Sequence, residues 1–129
     1  MGGEIEGRNM KALKPLLVLI VVLAVVYFIT PYDIRTGWLY YTYGRILDAV
    51  SDPAKATEAF KTSAEAMPDN IRFVRAYLRG LNDVGEETEN LGYVRTCYDF
   101  ADDWLDEHEN HDQRWQVLVE KARAQWGLG

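Results

Sequence analysis

From residue 16 to residue 30 the chain reads LLVLIVVLAVVYFIT, with no charge and no glycine. Adding Ala12 and Leu13 across Lys14 and Pro15 brings the apolar run close to the roughly 20 residues that cross a bilayer. Lys14 can snorkel to the interface. Pro15 suits the first turn of a helix, where its missing N–H is not needed, and Pro31 stops the helix. Tyr27, Phe28, Tyr32 and Trp38 gather at the exit, as aromatic side chains do at a membrane surface. A cleaved signal peptide needs small residues before its cleavage site, which Val25-Val26-Tyr27-Phe28 does not offer. A buried soluble helix would be broken by polar positions at a helical period, and this run has none. The pattern therefore predicts a retained single-span anchor over 15–31, behind an N-terminal tail, 1–14. Arg8, Lys11 and Lys14 before the span outnumber Arg35 and Arg45 after it. That balance predicts a cytoplasmic N-terminus, with the rest of the chain on the periplasmic side of a bacterial inner membrane.

Beyond a linker at 32–37 the spacing of apolar residues is helical, with no alternating run of β-branched residues. It predicts one all-α domain over 38–129, built of five helices. The first covers 38–50. Asp52 is a good N-cap and Pro53 a good first residue for the second, 53–66. Met67-Pro68-Asp69-Asn70 reads as a turn. The third helix covers 71–84 with Gly85 as its stop, the fourth 87–107, and the fifth 113–126. Trp115, Leu118, Val119, Ala122 and Trp126 share one face of the fifth helix. That face is expected to pack over the preceding hairpin as a cap.

Tyr40-x-x-Tyr43-Gly44-x-x-Leu47, followed by Ala56-x-x-x-Phe60 and then Pro68, resembles the tetratricopeptide repeat. Gly44 and Ala56 stand at its small positions, Phe60 fills the space between paired helices, and Pro68 ends the second helix. A shift of 34 residues aligns Tyr40 with Val74, Tyr43 with Tyr77, Leu47 with Leu81, Phe60 with Val94 and Ser63 with Cys97. The second unit departs from the pattern where Gly44 meets Leu78, Ala56 meets Asn90 and Pro68 meets Asp102. The resemblance spans about 37–106. It implies antiparallel helical hairpins whose first helices line a concave groove.

Arg72, Arg75 and Arg79 recur at three and four residues, on one helix face. The resemblance places them on the groove, joined by Trp38, Tyr41, Thr42 and Arg45 from the first hairpin. Such a stripe suits an acidic peptide or a terminal carboxylate. The competing reading is a solvated face whose charges pair with Glu86, Glu87 or Glu89. His108 and His111 sit three apart in the most acidic stretch, 102–112, as weak candidates for a metal- or pH-responsive site. The simpler reading there is a solvated acidic turn. Cys97 reads as a buried thiol packed as a small hydrophobe.

The whole chain has 129 residues, a net charge of −6 and one cysteine. One cysteine excludes an internal disulfide and a cysteine metal site. The acidic balance argues against nucleic acid as a partner, and no phosphate-binding loop is present. No catalytic constellation emerges, so the chain reads as a non-enzyme with no cofactor. The expected function is a membrane-anchored interaction module, a scaffold or accessory subunit of a larger membrane protein complex. The alternatives are an assembly factor or chaperone that binds acidic peptides, and a sensor that uses His108 and His111.

Overall fold

The computed structural model describes residues 2–129, with side chains described from residue 11 onward. It forms six helices: α1 (Gly2–Ile29), α2 (Tyr32–Ala49), α3 (Pro53–Ala66), α4 (Ile71–Thr88), α5 (Leu91–Glu107) and α6 (Arg114–Gly127). Among the described residues there is no strand. The chain divides into two units, residues 1–35 and 36–129.

In the first unit, Lys11–Ile29 forms a 19-residue stretch of α1 long and apolar enough to cross a membrane, with none of its residues buried. Pro15 lies inside α1 rather than in its first turn. The residues before it are not helix breakers, apart from three glycines, so the helix extends upstream past the proline. Residues 32–37, expected as a linker, are the first turns of α2. Pro31 explains both ends. Having no N–H, it cannot continue the bonding of α1, while its carbonyl accepts from Arg35 N at 3.1 Å and opens α2. The Arg35 guanidinium lies 4.6 Å from the centre of the Tyr27 ring.

The second unit is held by a core of Phe60, Phe73, Val74, Tyr77, Leu78, Leu81, Val94, Trp104 and Val117, with smaller residues between them. Burying each large side chain contributes about 1.5–3 kcal/mol. Local signals set the ends of α3 and α4. Lys55 N donates to the Asp52 carboxylate at 3.3 Å ahead of Pro53, and Phe73 N donates to the Asn70 side chain at 3.3 Å. The expected stop at Gly85 is not used. Gly85 is buried inside α4, where an added Cβ would lie 2.6 Å from Val94 Cγ2. α4 runs on to Thr88 and ends at Glu89 in the left-handed conformation, φ 55°. α5 therefore begins at Leu91, capped by Asn90, and not at residue 87.

α4 packs against α3, α5 and α6. α2 joins through two glycines on its packed face. A Cβ on Gly44 would fall 2.6 Å from the Phe60 ring, and one on Gly37 would meet Met67 and Phe73. Residues related by the 34-residue shift differ in burial. Val74, Tyr77 and Leu81 are buried, whereas Tyr40 and Tyr43 are exposed and Leu47 is half-buried. α3 packs against α4, whereas within the second unit no helix precedes α2. Leu39 and Ile46 on α2, and Val50 just after it, are exposed as well.

The expected cap faces the other way. Trp115, Leu118, Val119, Ala122 and Trp126 are all exposed, and α6 buries Val117, Glu120 and Ala124 instead. The reason is a polar network. Asn82 donates to Glu120, and Arg123 pairs with Asp83 and Glu86 at 2.7 Å each. These contacts turn the charged side of α6 toward α4, and the apolar side is left outside.

Candidate functional site: an arginine-lined groove

α4 is amphipathic in a way that builds two surfaces at once. Its apolar positions enter the core, while Arg72, Arg75 and Arg79 recur on the exposed side. Beside them Ala76 and Gly80 are small. Gly80 lets α3 approach so closely that a Cβ there would lie 2.5 Å from Thr57 Oγ1. Small residues flanked by long ones make a concavity. A groove of about 700 Å³ follows, its floor formed by Ala56, Thr57, Phe60 and Gly80. α2 contributes Tyr41, Arg45 and Asp48 to its wall, and the start of α6 contributes Gln113 and Gln116.

Of the residues expected on the groove, Tyr41, Arg45, Arg72, Arg75 and Arg79 line it together. Trp38 and Thr42 do not. Trp38 packs edge-on against Phe73, with ring centres 4.9 Å apart, and against Tyr41 at 6.0 Å. Its role is to fix Tyr41, which lies 5.0 Å from Phe73 and 5.8 Å from Phe60. Gln113, Gln116, Asp48 and Asp83 are further lining residues that the sequence did not flag. Gln113 and Gln116 carry a helical spacing of three, but nothing local shows that α6 starts beside α4.

The charges in the groove are unbalanced. Among the described residues, no carboxylate lies within 4.0 Å of Arg45, Arg72, Arg75 or Arg79. Arg75 makes one long hydrogen bond, Nη1 to Gln116 Oε1 at 3.5 Å. Of Glu86, Glu87 and Glu89, the acidic residues expected to pair with this stripe, Glu86 is engaged elsewhere. Arg123 donates two hydrogen bonds to Glu86, at 2.8 and 2.7 Å, and holds its carboxyl below the usual carboxylate range. The same contacts raise the affinity of the Arg123 guanidinium for its proton.

The histidine pair serves the turn before α4. His108 Nδ1 donates to Trp104 O at 2.8 Å, and His108 Nε2 lies 2.7 Å from the Asp69 carboxylate. His111 Nδ1 accepts from Gln113 N at 3.1 Å, so its Nε2 carries the proton donated to Asp69 O at 3.3 Å. Trp104 stacks on His108, ring centres 4.1 Å apart, and donates to Pro68 O at 2.7 Å. All four imidazole nitrogens are thus committed to protein partners. Among the described residues no three His, Cys, Asp or Glu side chains gather as a metal site.

Cys97 is fully buried, its thiol 3.5 Å from Leu78 O. Burial, with the Glu120 charge behind it, pushes the thiol up to about 12. A thiol kept protonated at neutral pH is a poor nucleophile and a poor metal ligand.

Comparison with protein families, curated proteins and solved structures finds no match to this chain.

Proposed function

We propose that this chain is a membrane-anchored protein–protein interaction module, a scaffold or accessory subunit of a larger membrane complex, whose groove takes an acidic segment of a partner. The observation that carries this reading is the set of four arginines on one groove, none of them in a salt bridge among the described residues although Asp48 and Asp83 also line it, in a chain of net charge −6. Guanidinium groups on a pre-formed wall pair bidentately with carboxylates, and Arg45, Arg72, Arg75 and Arg79 come from two helices that fix their spacing. Two further features support it. The 19-residue apolar stretch of α1 supplies the anchor, which confines the groove to a surface and raises its effective concentration for membrane partners. The wall is built by α2 and α4, the first helices of the two hairpins that the likeness to tetratricopeptide repeats implies, and by the start of α6. An N-terminus in the cytoplasm and the helical domain in a bacterial periplasm fit the charge balance around the span.

The test is extraction of the tagged full chain in mild detergent, with its companions quantified by mass spectrometry. A fixed set of integral membrane proteins at constant ratio, lost with Arg75→Glu, is the expected result. Substoichiometric soluble clients released by salt would instead make the chain an assembly factor working through the same stripe. Companions that ignore Arg75→Glu and Arg79→Glu would remove the groove from the account. Against an acidic peptide, Arg75→Glu is expected to cost on the order of 1–3 kcal/mol.

A further inference from the structure

The two histidines of the chain face partners that demand opposite protonation states. His108 has an acceptor at each ring nitrogen. Trp104 O lies 2.8 Å from Nδ1, and an Asp69 carboxylate oxygen lies 2.7 Å from Nε2. A neutral imidazole carries one N–H and serves one acceptor, whereas the imidazolium serves both. His111 has one acceptor and one donor. Its Nε2 donates to Asp69 O at 3.3 Å, and its Nδ1 accepts from Gln113 N at 3.1 Å. Only the neutral ring does both. The arrangement therefore holds one proton beyond the neutral pair, and holds it on His108.

The surroundings separate the two titrations. Both rings lie against Trp104, with their own centres 6.2 Å apart, so a charge on His108 opposes one on His111. Asp69, from the turn before α4, supplies the one carboxylate within 4.0 Å of either imidazole among the described residues, and supplies it to His108. Glu107, Glu109 and Asp112, neighbours along the chain, stand farther off. From α6 comes the Arg114 guanidinium, held on Leu105 O at 3.5 Å, about one turn before His108. The pair is linked to the groove by continuous contacts. Gln113, bonded to His111, precedes α6 and lines the groove with Gln116. Gln116 donates to Gln113 Oε1 and accepts from Arg75 Nη1, both at 3.5 Å.

We infer that His108 and His111 are a pH gate on the groove: one proton, on His108, seats the start of α6 beside Arg75, and a second, on His111, releases it. The inference rests on the groove as the binding site of the proposed function, and names what regulates it. Histidine is the side chain whose charge ordinarily changes between about pH 5 and 8. Affinity for an acidic segment therefore passes through a maximum. On the alkaline side His108 loses the N–H that holds Asp69. On the acid side His111 gains an N–H where the Gln113 amide needs an acceptor.

The test uses the full chain, without a histidine tag, in detergent micelles. With two histidines in the chain, nitrogen-15 NMR shows two imidazoles, assigned with His111→Gln. As pH falls from about 8.5 to about 5.5, His108 is expected to become doubly protonated first, while His111 stays the Nε2–H tautomer. Over the same range calorimetry follows binding of hexa-aspartate, whose side chains ordinarily stay ionised there. The affinity is expected to fall about threefold to tenfold on each side of its maximum, the worth of one lost hydrogen bond. Asp69→Ala should remove the alkaline limb. His111→Gln should remove the acid limb, because an amide donates and accepts as the neutral imidazole does without titrating. Circular dichroism checks that each variant keeps its helix content. Protonation of His111 first, or of both together, overturns the gate. Binding that Arg75→Glu abolishes but pH leaves unchanged overturns the gate alone. No binding at any pH overturns the groove, and the gate with it.

Discussion

The side-chain amide of Asn82 reaches from α4 to α6 and donates twice to Glu120, to the carboxylate at 2.9 Å and to the backbone carbonyl at 3.1 Å. Asn82 is 1% exposed. A single buried amide thus fixes the register of α6 and decides which of its faces turns inward. Asn82→Leu keeps the volume but leaves the Glu120 carboxylate with Arg123 at 3.7 Å as its remaining partner. The expected loss is about 2–4 kcal/mol, the range for a buried charge left short of hydrogen bonds. Urea unfolding followed by circular dichroism measures it, and a loss under about 1 kcal/mol, the size of an ordinary surface change, would show that packing alone seats α6.

Gly44 tests the other end of the domain. Alanine is the better helix former by roughly 1 kcal/mol, so an open site would be stabilised by Gly44→Ala. Here the new Cβ would lie 2.6 Å from the Phe60 ring, which is itself buried and flanked by Tyr41. Overpacking of this kind costs about 1–3 kcal/mol, so a net loss of stability is expected. A raised melting temperature would show that Phe60 has room to move.

Alkaline pH should loosen the core. Burial pushes Tyr77 from its ordinary 10.0 up to about 12, with Glu58 and Glu65 adding to the effect, and Cys97 from 9.0 up to about 12. Both groups are neutral when protonated, and both hold their protons more tightly in the folded chain. Their contribution is complete below pH 9 and is lost as pH rises toward 12. Melting temperatures measured from pH 8 to pH 11 should fall progressively, and Cys97→Ala should make the slope shallower, whatever it costs at neutral pH.

The histidine cluster predicts a structural and not a metal-dependent phenotype. His108→Phe keeps an aromatic ring against Trp104 but removes both hydrogen bonds, and an expected loss of about 1–2 kcal/mol follows. Zinc in excess should leave the melting temperature of the wild type unchanged, because the imidazole nitrogens already have partners. A zinc-dependent rise abolished by His108→Phe would revive the sensor reading.

What the sequence discloses follows the range of the interactions involved. Asp52 before Pro53 is a capping signal and Met67-Pro68-Asp69-Asn70 a turn signal, each read within four residues, and both helices start where expected. The arginine stripe is legible for the same reason, since its spacing along α4 is local. Gly85 misleads because a glycine that ends a helix and a glycine that admits a neighbour look alike, and Val94, which needs the room, belongs to the next helix. The face of α6 misleads more deeply. Amphipathicity shows that its apolar residues share a side, but Asn82 and Glu120 are 38 residues apart, and only their pairing shows that the side points outward. Trp38 reads as a groove residue until Phe73, from another helix, claims its ring.

α4 is the helix with neighbours on three sides, α3, α5 and α6. That position implies an order of motion. Amides within α4 should exchange with solvent only when the whole domain opens, whereas α2 and α6 can unseat one at a time. The two terminal helices are then the adjustable parts of an otherwise fixed frame. Whatever docks on either end will register first as slower exchange in that helix, while the exchange of α4 reports the stability of the whole.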